Sequence, residues 1–276
     1  MADNGLPAGL DREPWPEIDT TTAHAARVYD YWLGGGANFA VDRHAAEQAI
    51  AAMPMIVDAA RANRAFLGRA VRYLAREAGI RQFLDIGAGI PSQDNVHTVA
   101  QRVAPDARIV YVDNDPIVLA HAHELLTSTP EGATAYLYAD LRDPGMILSD
   151  AAKTLDFGQP VALMLLATLQ LVSDSDDPYR LVARLVEALA PGSYLAVSHP
   201  AKDVLAESGG KEAAEALNPA LHTGLHLRTR DEVLRFFDGL DMVEPGLVQV
   251  HQWRPDAPEQ DPGKQLSVHC AVARKR

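Results

Sequence analysis

A single cysteine, Cys270, stands among the 276 residues. No intrachain disulfide can form, no Cys-x-x-Cys metal pair exists, and a reducing, cytoplasmic setting is the default expectation. Positive charge is also in short supply: 25 Lys and Arg stand against 37 Asp and Glu, a formal net charge of −12. That sign repels a phosphate backbone unless the basic residues gather on one face, so no nucleic-acid partner is expected. Long apolar runs are missing too. The longest, Val161 to Ala167, has seven residues, against the roughly 20 that a membrane helix needs. The first eighteen residues lack a basic region followed by an apolar stretch, so neither a secretory signal nor a membrane anchor is expected. Aromatic residues make up only 6%, yet hydrophobic residues reach 47%, with 19 Gly and 18 Pro. This composition excludes collagen-like, low-complexity and wholly disordered chains and leaves one large globular domain, or one domain with an extension.

Three regions follow from the pattern: a mobile tail over 1–19, able to dock through Trp15; an N-terminal helical extension or lid over 20–79; and an α/β domain over 80–276. Helices are expected from Ala23 to Leu33, stopped by Gly34-Gly35-Gly36, from about 42 to 53, and from Ile56 to Ala78. The period then switches to buried-strand runs at Gln82–Ile86, Ile109–Val112, Ala135–Tyr138, Val161–Leu166 and Tyr194–Ser198. Helical patterns lie between or after them at about 93–103, 116–127, 144–153, 178–190 and 230–238. Such alternation implies right-handed crossovers and a parallel sheet covered on both faces. The last strand-like runs, Leu247–Trp253 and Leu266–Ala273, leave no room for a helix and should close the sheet as an antiparallel hairpin.

The strongest local signal is FLDIGAGIPSQDN, residues 83–95. A buried strand ends at Asp85, and Gly87 and Gly89 permit a tight turn that lets backbone approach a ligand at the switch point of an open sheet. A purely structural glycine turn is the alternative. IVYVDNDP (109–116) places Asp113 at the end of the second strand, where an acid can accept both hydroxyls of a ribose, or where Asp113 or Asp115 caps the next helix. LYADLRDP (137–144) ends the third strand at Asp140, which could accept from an adenine amino group while Leu141 packs on the ring; Asp143-Pro144 looks like a helix cap. Asp85, Asp113 and Asp140 thus form a row along one sheet edge. Arg64 could meet a carboxylate as a planar fork, or be a solvated helix charge. His199, at the end of the fifth strand, is placed for a general base or simply packs a strand end. Tyr29, Tyr31, Trp32, Asn38 and Phe39 could supply the walls of a lid, with Tyr31 among the candidates for contact with a reacting molecule, or could only pack the extension onto the sheet. His222 and His226 are four apart, but Gly224 lies between them and no third ligand follows at the usual spacing, so no metal is expected; His121 and His123 read as surface residues.

Taken in order, the acid-G-x-G turn, the acids after strands two and three and the terminal hairpin resemble class I S-adenosylmethionine-dependent methyltransferases. More narrowly, ARVYDYWLGGGANFAVDRHAAE (26–47), RANRAFLGRAVRYLA (61–75), IRQFLDIGAGIPS (80–92), NVHTVAQRVAPDARIVYVDNDPIVLAHA (95–122), ADLRDP (139–144) and LAPGSYLAVSH (189–199) look like the actinobacterial S-adenosyl methyltransferase family. The resemblance implies an α/β, Rossmann-like class I fold with a seven-stranded, mostly parallel sheet, an antiparallel terminal hairpin and the helical extension. It implies S-adenosylmethionine as cofactor and S-adenosylhomocysteine as product. Gly87, Ala88 and Gly89 would face the methionine part, Asp113 and Asn114 the ribose and adenine edge, Asp140 and Leu141 the adenine, and Ala167 the floor near the sulfonium. Gly36 and Ala37 replace a charged pair of the family, and Gln170 stands where His is common, which puts Gln170 beside His199 and Tyr31 as the candidates on the reacting side. The expected activity is methyl transfer to a small-molecule acceptor that the sequence does not identify. The alternatives are a non-catalytic module that senses the cofactor, and an NAD-dependent oxidoreductase. The latter predicts a third glycine where Ser92 stands and a further parallel repeat in place of the hairpin. An exposed helical extension leaves a homodimer open.

Overall fold

A computed structural model describes residues 17–92, 94–121, 127–205, 210–221, 224–257 and 265–276. Trp15, most of the expected tail, His123, His222 and the end of the helix expected over 116–127 lie outside the described residues.

Five strands run parallel: β1 (Gln82–Ile86), β2 (Arg108–Asp113), β3 (Ala133–Tyr138), β4 (Ala162–Leu166) and β5 (Tyr194–Pro200). Their spatial order is β3-β2-β1-β4-β5, so the chain reverses direction across the sheet between β1 and β4. Three strands complete the edge, β6 (Asp241–Met242), β7 (Val248–Gln249) and β8 (Val268–Arg274), with β8 antiparallel to β5 and both β6 and β7 antiparallel to β8. Eight strands therefore occupy seven lanes. The nicotinamide alternative required a further parallel strand here. The expected hairpin forms, but its first arm is shorter than Leu247–Trp253 and an unforeseen β6 continues the same lane. Pro245, which has no N–H to give a ladder, and Gly246 at φ +83° interrupt that lane between the two short strands.

Burial explains the strands. In β1, Phe83 packs into the core on one face while Leu84 and Ile86 pack into the core on the other; Ile109 and Tyr111 alternate likewise with Val110 and Val112 in β2. Fully burying such a side chain contributes about 1.5–3 kcal/mol, more than the ~1 kcal/mol span of strand propensity. The first face is covered by α3 (Ile56–Arg76) and α4 (Val96–Val103), the second by α6 (Pro144–Ala151), α7 (Pro178–Glu187) and α10 (Arg230–Leu234). Asp143 accepts from Met146 N at 3.0 Å with Pro144 opening α6, and Asp115 accepts from Ile117 N at 3.1 Å before α5 (Pro116–Ala120), so both Asp-Pro pairs cap helices.

Residues 20–79 do two jobs. The long helix α3 belongs to the sheet's own cover, with Phe66, Ala70, Val71 and Leu74 fully buried and Phe66 edge-on to Trp253 at 5.3 Å. The short helices α1 (Ala25–Trp32) and α2 (Ala40–Ala52) instead meet the segment after β5, which holds α8 (Lys202–Leu205) and α9 (Gly210–Leu217). Ala45, Ala46 and Ala49 of α2 share a core with Leu217 and Leu221, and Ala23 bridges to Leu221. The two layers form a roof above the carboxyl ends of β1 and β4. Among the described residues, no helix is long and apolar enough to cross a membrane.

Candidate active site

Beneath that roof a cleft opens at the strand tips, and Asp85, Asp113 and Asp140 all line it. Backbone geometry makes the floor. Gly87 (φ +76°) and Gly89 (φ +66°) take a left-handed conformation that side chains resist. A Cβ at Gly87 would lie 2.2 Å from Thr168 Oγ1. Gly87 N and Ala88 N donate to Val112 O at 2.8 and 3.1 Å, and Gly89 N donates to Asp113 Oδ2 at 2.8 Å. Asp113 Oδ1 accepts from Asp115 N at 3.0 Å. The carboxylate is thus locked by two backbone donors, with lone pairs left for a ligand. Asn114 Nδ2 donates to Asp140 Oδ2 at 2.9 Å, and the backbone N–H and guanidinium of Arg142 also donate to Asp140. Asp140 is therefore not a free acceptor awaiting an adenine amino group, because Asn114 and Arg142 already hold both of its oxygens.

Burial dominates the electrostatics. It pushes the Asp85 carboxyl up to about 7, against the pull of Arg64 and with added repulsion from Asp113. Burial raises Asp113 as well, opposed by the N–H groups of Asp115 and Gly89. Asp115 shifts the other way: burial favours its neutral form, but His24, whose Nδ1 lies 2.8 Å from Asp115 Oδ2, the Ile117 N–H and Arg27 together outweigh it. Arg27 Nε lies 3.6 Å from Asp115 and 3.7 Å from Asp42, while Asp42 accepts from His24 N at 3.0 Å and from Phe39 N at 2.8 Å. This buried ionic cluster ties α1 and the start of α2 to the tip of β2. Arg64 lines the cleft and donates to Asn95 Oδ1 at 2.7 Å.

Gly87, Ala88, Gly89, Asn114, Leu141, Ala167, Arg64 and Gln170 also line the cleft; Ala167 sits at φ +52° at its floor. Of the residues expected on the reacting side two are not brought there, and Asn38 and Phe39, expected as lid walls, do not line it either. His199 is fully buried outside the lining, with Nδ1 2.8 Å from Pro200 O and Nε2 3.0 Å from Arg228 Nη1. Burial lowers its pKa to about 4. With Nδ1–H donating to the carbonyl, Nε2 accepts from the guanidinium, and no lone pair remains for a reacting molecule. Tyr31 turns outward and donates to the exposed Glu47 Oε1 at 3.0 Å. Its neighbour Tyr29 faces the cleft, donating to Ala60 O at 2.9 Å and accepting from Asn63 Nδ2 at 3.0 Å.

Several lining residues escape the sequence. Asn63 and His24 carry no local signal, since each matters only through a partner distant in the chain. Ala213, Ala214 and Leu217, by contrast, keep a three-to-four spacing in GKEAAEAL, a helical period that was legible. Among the described residues, no group of three or more His, Cys, Asp or Glu is arranged to hold a metal.

Comparison with known proteins now bears on this cleft. The family model described as S-adenosyl methyltransferase matches residues 11–276. A DUF574 family protein from Streptomyces avermitilis is 46% identical, with a TM-score of 0.91 over 94% of this chain and 100% of that one. A candidate methyltransferase from Thermobifida fusca is 41% identical, with a TM-score of 0.87 over 96% of this chain and 99% of that one. An O-methyltransferase family protein from Burkholderia thailandensis, at 13% identity, shares the fold with a TM-score of 0.53 over 77% of this chain and 58% of that one. No curated protein matches.

Proposed function

The chain belongs to the S-adenosyl methyltransferase family and is an S-adenosylmethionine-dependent methyltransferase, and we propose that the strand-tip cleft binds that cofactor and a small-molecule acceptor together. One observation carries this assignment: the carboxylates at the ends of β1, β2 and β3 surround one cleft, beside a glycine bend whose Gly89 N–H is tied to Asp113.

Asp113 accepts the ribose hydroxyls, and Asn114 and Leu141 flank the adenine. Asp140 serves there mainly by fixing Asn114 and Arg142. The bend at Gly87, Ala88 and Gly89 lies along the methionine part, with the Arg64 fork on its carboxylate. Asp85 and Asn63 take the ammonium. The fit has physical support, because Asn63 is buried and its Oδ1 has no hydrogen-bond partner among the described residues. Buried amide oxygens without a donor are costly, so a donor is expected at this point.

When bound, S-adenosylmethionine supplies a methyl group already activated on a sulfonium. The chain's own task is then alignment and dryness: a nucleophile held roughly 3 Å from the reacting carbon, with water excluded. Ala167 floors the reacting region, and Trp32, Met53, Leu205 and Leu217 face it with apolar surface from the roof. No proton relay through His199 is required. The single cysteine, buried and unpaired, supports a reducing cytoplasmic setting. Titration with S-adenosylhomocysteine by calorimetry tests the assignment. Saturable binding in the micromolar range is expected, and no heat at millimolar ligand removes it.

A further inference from the structure

The cleft is not uniform. Its ionisable side chains cluster on the strand-tip side, at Asp85, Asp113, Asp140, Arg142, Arg64 and His24. Asp30, on α1, is the exception, and its Oδ2 is taken by Asn38 Nδ2 at 2.8 Å. The opposite side is apolar: Trp32, Met53, Ile56, Leu205, Leu217 and Leu225 come from α1, the α2–α3 junction and the segment after β5. Met53 and Leu205 are buried in a shared cluster against Ile56 and Leu227.

Beside that surface, one lining side chain on the turn after β4 carries a buried polar atom without a hydrogen-bond partner among the described residues. Gln170 sits in the 3-10 turn Leu169–Leu171, three residues beyond Ala167, and lines the cleft with nine-tenths of its surface buried. Its Nε2 donates to Ala167 O at 2.6 Å, while its Oε1 has no hydrogen-bond partner among the described residues. The orientation of the amide is fixed chemically, because exchanging its two ends would set Oε1 against the Ala167 carbonyl. Nor can the turn shift to relieve the orphan. His226 N donates to Gln170 O at 2.7 Å, and the buried Arg228 donates to Leu169 O at 2.8 Å and Val172 O at 3.0 Å. His199 holds that guanidinium from behind, through Nε2 at 3.0 Å. The sequestered histidine thus belongs to the brace that presents Gln170.

We propose that the methyl acceptor is an uncharged, predominantly apolar molecule whose reacting O–H or N–H donates to Gln170 Oε1. A charged acceptor would lose its hydration against leucine and methionine, where the one lining carboxylate, Asp30, is already engaged by Asn38. An acceptor without a donor would leave Oε1 unsatisfied, which is the strongest form of discrimination a buried site can exert. The exchange balances without further reagents. The methyl carbon's bond to sulfur breaks, its electron pair stays on sulfur as a thioether, a carbon–oxygen or carbon–nitrogen bond forms, and the acceptor's proton leaves to solvent. Gln170 orients the acceptor and is too weak a base to take the proton.

This proposal rests on the strand-tip side being the cofactor site, and the test separates the two. The protein is first titrated with S-adenosylhomocysteine, and absence of binding overturns the cofactor assignment and this proposal with it. The saturated complex is then titrated with 1-naphthol, 1-naphthylamine, 1-methoxynaphthalene and 1-naphthoate. The expected result is binding of the naphthol and the amine about tenfold tighter than the methyl ether, the worth of one neutral hydrogen bond, with no measurable binding of the carboxylate. In Gln170→Met, of similar volume, the preference should vanish while affinity for S-adenosylhomocysteine stays within about threefold. If the complex binds naphthol no better than its ether, binds naphthoate as well, or keeps the preference in Gln170→Met, the proposal falls.

Discussion

The floor and the roof of the cleft are built by opposite means. On the floor, direction comes from backbone: two left-handed glycines, the N–H of Gly89 and Asp115 aimed at Asp113, and carboxylates at successive strand ends. On the roof, shape comes from side chains of α1, α2, α9 and the residues around them, packed through alanine and leucine with few polar atoms. A floor of fixed donors suits a constant ligand rich in hydroxyls and charges. A roof of close-packed aliphatic groups can be recontoured by single substitutions without disturbing that floor. The division implies that most cofactor affinity resides in the strand tips and the side chains of α3 beside them, and the shape that selects the acceptor's apolar body in the helices above, and the two can be tested apart.

The largest effect should come from Asp113→Ala. It removes the proposed ribose acceptor and strands the N–H groups of Gly89 and Asp115. Two hydrogen bonds to a charged group are worth about 1.5–3 kcal/mol each, so affinity for S-adenosylhomocysteine should fall about a hundredfold or more by calorimetry, with a lower melting temperature. A loss under threefold would break the division, because the floor would then not be what holds the cofactor. Next in size is Gly87→Ala. The positive φ costs about 1 kcal/mol, and the new Cβ meets Thr168 Oγ1 at 2.2 Å and Cγ2 at 2.6 Å, for a total destabilisation of about 2–4 kcal/mol by denaturant unfolding. Adding Thr168→Ala should recover only part of the steric cost, because Thr168 Cβ would itself stand 2.9 Å from the new methyl and the hydroxyl's bonds to Ile86 O and Leu166 O would be lost.

That contrast also governs what could be read from sequence. The floor is local: β1 appears from Gln82 to Ile86 as its apolar run demands, and each acid stands at the end of a strand whose side chains are buried on both faces. Six residues from Asp85 to Ile90 supply the bend, so spacing alone announces it. The roof is assembled from residues near 30, 55 and 220, and no short-range pattern links Ile56 to Leu227 or Ala23 to Leu221. Tyr31 and His199 illustrate the limit. Residue type suggested chemistry for both, but one helical step decides whether Tyr29 or Tyr31 faces inward, and a guanidinium 29 positions away decides that His199 is spent in a brace.

A smaller effect sharpens the floor's electrostatics. Asp85 faces Arg64 from α3 and Asp113 from β2, and its carboxyl titrates at about 7. An ammonium ligand needs the carboxylate form. Below pH 7 the free protein holds a proton there that binding must expel, so affinity weakens as pH falls and strengthens as pH rises, levelling above about pH 8. Between pH 7.5 and 5.5 the dissociation constant of S-adenosylhomocysteine should rise about tenfold or more. Asp85→Asn should bind more weakly than the parent at pH 7.5 and lose that slope. An unchanged slope in the variant would move the titrating group elsewhere, with Asp113 the first to examine.

The smallest expected effect falls on the outer surface of the roof. Tyr31 donates to Glu47 at the exposed surface, and a hydrogen bond that water can replace is worth about 1 kcal/mol or less. Tyr31→Phe keeps the ring and removes only the hydroxyl, so stability should change by no more than about 0.5 kcal/mol and S-adenosylhomocysteine affinity not measurably. Tyr29→Phe, on the inner face, strips Asn63 Nδ2 of its acceptor and Ala60 O of a side-chain donor, and should weaken binding several-fold because Asn63 then loses the bond that holds its amide in place. The ratio of the two effects measures which face of α1 the ligand meets. Equal losses from both variants would mean that the helix rotates when the cleft fills, and the roof would then be a moving part and not a fixed mould.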